Sequence, residues 1–294
     1  MQPIVLDEHH PLLRAKPLLR SIPLPPQPEV LRKVLDEYRN PTPDLQRIAT
    51  LIGSDVALSG SVLQAVNSPL FGLRHTVTAI PQAIGLLGLR KVLLVVRAVA
   101  LRSGFGRSAE CNRFWDSANI MAQISLMLAE RLKLVEKEEL YTIGLFHDCG
   151  MLLMMQHFPD YKTLLSQANN TPDRPVTAWE DERYGLNHTD LGFLISVSWY
   201  LPPTLCHVVA SHHRPFADLA QSQRRISDSA LTLLAAHKAS HHIHTRHRQM
   251  VRGDMVDMEW DRDNAAVLGH LGISEPDFFT LRDDLLDSLD DTAA

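Results

Sequence analysis

The sequence predicts an all-α protein, a bundle of about a dozen helices, and three observations carry that reading. Apolar residues recur at three- and four-residue spacing in segment after segment. No stretch alternates apolar and polar residues for the length a half-buried strand needs, and no internal repeat is present. Proline, glycine and asparagine fall between the periodic stretches instead of inside them.

Residues 1–27 lack a period and end in Ile22-Pro23-Leu24-Pro25-Pro26-Gln27-Pro28, where fixed φ and missing donors predict an extended lead-in. Val30, Leu31, Val34, Leu35 and Tyr38 predict a first helix over Glu29 to Tyr38, stopped by Asn40-Pro41. Thr42, followed by Pro43 and Asp44, has the form of an N-cap for a second helix to about Ile52. Asp55 opens a third through Leu58, Val62, Leu63 and Val66. Asn67 to Gly72 then reads as a turn, with Asn67 capping the helix end. Helices over Ala79–Leu87 and Leu89–Arg102 are divided by Gly88, and Ser103 to Arg107 is the best domain boundary.

Beyond it the predicted helices lengthen. Phe114 to Leu134 carries Ile120, Ile124, Met127 and Leu128 on one stripe, and a single helix is expected over Glu138 to Met155. Pro159 to Ala168, and Val176 to Tyr184 before Gly185, follow, with a polar loop from Asn169 to Pro175 between them. Asn187-His188-Thr189-Asp190 has the form of a capping box ahead of an apolar run to Tyr200. Leu201-Pro202-Pro203 is a corner. Thr204 to His213 is a helix ended by Arg214-Pro215, and about Arg225 to His241 is a long one. His241 to Gly253, with four histidines and Arg246, Arg248 and Arg252, reads as an irregular solvated loop. The acidic tail from Ser274 reads as a last helix.

Composition narrows the function. Apolar residues are 45% and charged residues 21%, ordinary globular values, and the net charge of -5 argues against a nucleic-acid-binding stripe over the whole surface, though not against a local one. The three cysteines, Cys111, Cys149 and Cys206, are too few and too scattered for a disulfide framework, which points to a reducing cytoplasm. No signal peptide is expected. The most apolar run, Val92 to Leu101, is cut by Arg97 and too short to cross a bilayer.

Fifteen histidines raise the question of a metal, and His147-Asp148 focuses it. The pair sits in Gly144-Leu145-Phe146-His147-Asp148-Cys149-Gly150, an apolar context where an unpartnered polar group costs roughly 1–3 kcal/mol. His188 stands at a helix start, and His212 and His213 at a helix end. The residues alone leave two readings open: a divalent ion, or a polar cluster that satisfies itself or holds water. Cys149, Trp115 and Trp199 read as core.

The stretch around His147-Asp148 resembles the signature of HD-domain metal phosphohydrolases. More closely, the order of marks resembles HDOD-domain proteins, a non-catalytic offshoot of that superfamily found in bacterial signalling. The marks are Ile22-Pro23-Leu24-Pro25, Leu63 to Gly72, Ala83 to Gly88, Phe114-Trp115, His147-Asp148, Asn187 to Gly192, Trp199 to Pro202 and His212-His213. The resemblance implies an HD-like multi-helix bundle with a smaller N-terminal lobe. The expected division is an extension over 1–20, the lobe over 21–102, the HD-like lobe over 108–245 and a helical segment over 246–294.

Departures from the catalytic pattern bear on chemistry. Ser117 fills the slot of the first histidine and Ala236, beside His237, that of the last aspartate. Met151 stands where a lysine is usual, on the same helical face as His147 and Asp148, and a thioether cannot replace an ammonium. The resemblance to multinuclear relatives implies that Asp148, His188, His212 and His213, with His147 nearby, hold one divalent ion (Fe, Mn, Ni or Zn); no catalytic residue and no other cofactor is expected. The implied role is a cytoplasmic regulatory module acting through a signalling protein partner, with a nucleotide or cyclic dinucleotide as the ligand class, and without membrane or nucleic acid. The alternative is a metal-dependent phosphohydrolase acting on a nucleotide or phosphodiester.

Overall fold

The computed structural model describes residues 22–25, 28–67, 73–106, 108–171, 173–221, 226–252 and 257–293. It is all-α: 77% helical, with no strand among the described residues. Contacts divide the described residues into two units, one from Pro25 to Trp115 and one from Asp116 onward that also takes in 22–24.

The first unit holds α1 (Glu29–Tyr38), α2 (Leu45–Gly53), α3 (Val56–Val66), α4 (Ile80–Leu87) and α5 (Leu89–Gly104). The N-cap of α2 is Asp44 and not Thr42: its carboxylate accepts from the backbone N–H of Gln46 at 2.9 Å and Arg47 at 3.0 Å. Asp55 caps α3 through the Leu58 N–H. Asn67 ends α3 as expected, donating Nδ2 to the carbonyls of Leu63 and Val77 while the Val77 N–H donates to its Oδ1 at 2.7 Å. The rest of that predicted turn, 68–72, lies outside the described residues. Leu31, Val34, Ile48, Ile52, Val62, Val92 and Val96 are buried in this unit.

The second unit contains α6 (Ala109–Arg131) from Asp116 on, α7 (Lys137–Phe146), α8 (Cys149–His157), α9 (Tyr161–Asn169), α10 (Val176–Tyr184), α11 (His188–Ser198), α12 (Pro203–Ser211), α13 (Phe216–Gln221), α14 (Asp228–Arg252), α15 (Met258–Leu271) and α16 (Glu275–Ala293). Helix α8 packs on α11, α11 on α12, α12 and α7 on α14, and α14 on α15. Phe146, Tyr161, Trp199, Phe216 and Phe278 are the large side chains at the centre.

Two expectations are corrected here. The single helix over Glu138 to Met155 is two, broken at His147-Asp148, where Asp148 leaves helical geometry at φ -99°, ψ 7°. The break removes the spacing argument that set Met151 on one face with His147. The irregular segment after His241 is instead the second half of α14, a single helix of 25 residues. His237, His241 and His244 recur at four- and three-residue spacing, so one face of that helix turns them inward; reading histidine as a solvated residue concealed the period.

Candidate metal centre

Close approach of α8 and α11 builds the site. A Cβ on Gly150 would lie 1.9 Å from the His188 carbonyl oxygen and 2.7 Å from the Gly192 nitrogen, so only glycine lets the two backbones meet here. That contact brings Asp148, at the N-cap of α8, against His188, the first residue of α11. The capping box forms as the sequence predicts, with Asn187 accepting from the N–H groups of Thr189 and Asp190, and the Asn187 N–H donating to Asp190. His212 and His213 follow the end of α12.

One ligand atom from each of Asp148, His188, His212 and His213 lies within 4.8 Å of all the others, a group that could hold a metal ion. Asp148 Oδ1 is 3.4 Å from His188 Nε2 and 3.3 Å from His212 Nε2, and Oδ2 is 3.2 Å from His147 Nε2. His188 Nε2 is 3.1 Å from His213 Nε2. His147, His188 and His212 are each no more than 5% exposed.

The far side of every ring is tied down. His147 Nδ1 donates to the Gly144 carbonyl at 2.9 Å and His212 Nδ1 to the Val209 carbonyl at 2.8 Å. His188 Nδ1 meets Glu180 Oε2 and His213 Nδ1 meets Glu259 Oε1, both at 2.7 Å. Glu180 is fully buried and also accepts from the His188 N–H and the Tyr161 hydroxyl. This is the outer shell that orients imidazoles on a metal.

The pattern fixes the tautomers. A carbonyl only accepts, so Nδ1 of His147 and His212 carries the ring proton and Nε2 of the neutral ring presents a lone pair. Those lone pairs face carboxylate oxygens of Asp148, an arrangement that needs a cation or an added proton between them. Burial alone would raise the Asp148 carboxyl, but His147, with His188 and His212, holds it well below the ordinary carboxylate range. Burial would likewise lower His188, yet Glu180 and Asp148 raise it to about 10. Burial, reinforced by neighbouring histidines, pushes His212 and His213 well below their usual value, which leaves them neutral donors. The donor set fits a divalent ion.

All five residues singled out from the sequence thus meet around one carboxylate. Sequence reasoning missed Glu180, Glu259 and Tyr161, whose partners are set by helix packing and no spacing rule. It also missed His237 and His241, which the period on α14 could have shown. The Ser117 hydroxyl is spent on His244 Nε2 at 3.2 Å, and Ala236 is buried without a donor. Cys149 is buried and burial drives its thiol upward, so it is an inert core residue. A cavity of about 10 Å³, lined by His212, His213, His237, Lys238, His241, Asp257, Glu259, Trp260 and Asp263, adjoins the site. Lys238 is already committed, to Asp263 at 2.8 Å and the His212 carbonyl at 2.7 Å.

The family model of the HDOD domain matches residues 24–215. Comparison with curated proteins finds no match. Among solved structures, the chain is similar to an HDOD domain protein of unknown function from Geobacter sulfurreducens (TM-score 0.73, 19% identity, covering 97% of each chain). It is also similar to a candidate phosphohydrolase from Shewanella amazonensis SB2B (TM-score 0.69, 22% identity, 94% of this chain and 93% of that one). A candidate signal transduction protein from Marinobacter aquaeolei VT8 matches with a TM-score of 0.67 and 18% identity, over 94% of this chain and 60% of that one. At these identities the likeness speaks to the fold.

Proposed function

This chain belongs to the HDOD family, and we propose that it is a regulatory module that acts by binding and not by hydrolysis, with one divalent ion held as a structural element by Asp148, His188, His212 and His213. The observation that carries this reading is a donor set ready for an ion beside a cavity of about 10 Å³. That volume suits about one water-sized guest and no nucleotide. A bound ion would supply Lewis acidity to a water or a phosphate oxygen. The chain's own residues lack what hydrolysis needs beyond that. Met151 offers no charge, and Lys238 is paired with a buried carboxylate.

What the residues do well is join helix ends. Asp148 comes from the α7–α8 break, His188 from the start of α11 and the histidine pair from the end of α12, so an ion there ties three junctions together. The proposed partner is a signalling protein, in keeping with the signal transduction protein of the same fold from Marinobacter aquaeolei; a nucleotide or cyclic dinucleotide bound outside this cavity, and a cytoplasmic setting, belong to the same proposal.

The test has two parts. Full-length protein purified without chelator should carry Fe, Mn, Ni or Zn near one per chain, and His188→Ala should lose it. Loaded with Mn²⁺, Fe²⁺, Ni²⁺ or Mg²⁺, it should turn over neither nucleotides nor cyclic dinucleotides. Hydrolysis that disappears in His212→Ala with the fold intact would replace this reading with the phosphohydrolase one, which the converging histidines favour.

A further inference from the structure

We propose that this chain associates with a second copy of itself, the cationic face of α5 in one copy lying antiparallel along the acidic face of α16 in the other. The contact is independent of any ion at Asp148.

Charge is divided unevenly along the chain. Residues 25–115 hold 11 Lys and Arg and 6 Asp and Glu, a net +5, whereas 116–294 hold 15 and 26, a net -11. Within the first unit the division is sharper. Glu29 is paired with Lys33, Asp36 with Arg32 and Arg39, and Glu37 with Arg47. Asp44 and Asp55 are spent capping α2 and α3. From Asp55 to Glu110 the sequence has no other acidic residue, yet Arg74, Arg90, Lys91, Arg97, Arg102 and Arg107 fall there.

Four of those cations share one face of α5. Arg90, Lys91, Arg97 and Arg102 lie within about 140° of one another around the helix and along about 18 Å of it. Val92, Leu93, Val95, Val96 and Ala100, on the other side, are buried. Arg90 and Arg102 are exposed, and Lys91 and Arg102 make no ion pair among the described residues.

Helix α16 carries the counterpart. Asp277, Asp283, Asp284 and Asp287 are exposed and lie within about 120° of one another, along about 15 Å. Phe278, Leu285, Leu286 and Leu289 are buried on the opposite side. Cations of the same chain reach two of the four: Arg282 bonds Asp283 at 2.8 Å and Arg131 stands 3.8 Å from Asp284.

Each face also runs against the dipole of its own helix. Helix α5 opens on Arg90 and Lys91 at its positive end, with no acid in the first turn. Helix α16 closes on Asp290 and Asp291 at its negative end, with no base in the last turn. Antiparallel pairing relieves both, because the C-terminal end of α16 then meets the N-terminal end of α5, and Asp277 comes to Arg102. A nucleic acid or a lipid surface would meet the same cations but also the net -11 of residues 116–294, a repulsion that a second copy turns into attraction. Helix α16 lies beyond residue 215, outside the family match, so the contact belongs to this chain and not to the family segment.

The experiment is sedimentation velocity of the full chain over a concentration series. At about 0.1 M salt, where charges act over about 10 Å, wild type should form dimers, or longer assemblies where the pairing is one-sided; at about 1 M, where they act over about 3 Å, it should be a monomer. Lys91→Glu/Arg102→Glu and Asp284→Lys/Asp287→Lys, each checked for folding by circular dichroism, should raise the dissociation constant at least about tenfold. An equimolar mixture of the two should restore association, because each reversed face then finds its opposite. Wild type that stays monomeric at the lower salt would overturn the proposal, as would association that survives the higher salt or both reversals. Retention of duplex DNA or of phosphatidylglycerol vesicles by such a monomer, lost in Lys91→Glu/Arg102→Glu, would give the α5 face to a nucleic acid or a lipid surface instead. Should one double variant not fold, the salt dependence and the other variant decide.

Discussion

Replacing Gly150 with alanine should cost this protein both stability and the geometry of the candidate metal centre. The added Cβ would sit 1.9 Å from the His188 carbonyl oxygen and 2.8 Å from its carbonyl carbon, both backbone atoms that cannot rotate away. To bring the first contact to 3.0 Å, α8 and α11 must separate by about 1.1 Å at the point where they touch, a strain of the kind that costs ~1–3 kcal/mol in packed interiors. With backbone on the receiving side the upper end applies, and ~3 kcal/mol in a unit of this size lowers Tm by roughly 6–12 °C. The same separation pulls His188 Nε2 from Asp148 Oδ1, now 3.4 Å apart, so metal affinity should fall at least ~10–100-fold, as when an orienting group is lost. Gly60→Ala is the control. Gly60 lies inside α3 with nothing within 4 Å of its would-be Cβ, and there the substitution should stabilise by about 0.5–1 kcal/mol. Thermal melts followed by circular dichroism, with metal analysis of each variant, give both readouts. A Gly150→Ala protein with wild-type Tm and wild-type metal would refute the claim that this glycine contact sets the site.

Four further outcomes follow from the same geometry. Glu180→Gln should weaken metal binding by ~10–100-fold, because the amide no longer orients and polarises His188 as the carboxylate does at 2.7 Å; calorimetric titration with Mn²⁺ measures it. Lys238→Met should destabilise by about 3 kcal/mol in urea unfolding, since it strips an ammonium from the buried Asp263, though Arg262 still contacts that carboxylate at 2.9 Å. Burial opposes ionisation of Asp263, but Arg262 and Lys238 hold its carboxyl below its ordinary value of 3.8; a depressed carboxyl contributes stability above that pH and loses it as pH falls through the folded value. The stability gap between wild type and Asp263→Asn should therefore be full at pH 7 and shrink below about pH 4. Chelation with EDTA should lower Tm in wild type and leave His188→Ala unmoved; at a metal concentration of 1,000 Kd the linkage amounts to about 4.1 kcal/mol.

Most of the helices were legible because their boundaries are written in local chemistry. Asn187 with Asp190, Gly185 after Tyr184 and Gly88 before Leu89 all act where the spacing places them. The α2 cap slipped by two residues because Thr42, Pro43 and Asp44 offer competing signals, and only the folded backbone shows Asp44 meeting two amides. The errors of substance share a cause. A histidine is polar in composition and apolar-sized in packing, so the segment after His241, with the buried His242 and His244, read as loop when it continues a helix. The helix break at His147-Asp148 was illegible for a related reason. The turn of His147 Nδ1 onto the Gly144 carbonyl and the departure of Asp148 from helical geometry serve a site assembled from distant parts of the chain.

Distance in sequence also explains which half of the site could be found. His147, Asp148, His188, His212 and His213 carry recognisable positions, at a break, a start and an end of helices. The groups that orient them do not: Glu180 lies eight residues before His188 and Glu259 forty-six after His213, each in an unremarkable helix. Glu259 and His237 both lie beyond residue 215, outside the family match, on the pair α14 and α15. The family segment thus supplies the primary donors, and the C-terminal helices supply the tie on His213, the ammonium on the His212 carbonyl and the unmet imidazole beside His147. An ion at Asp148 would therefore rest on groups from the family segment and from the helices that follow it, with α15 reaching His213 through Glu259 and His212 through the Asp263–Lys238 pair.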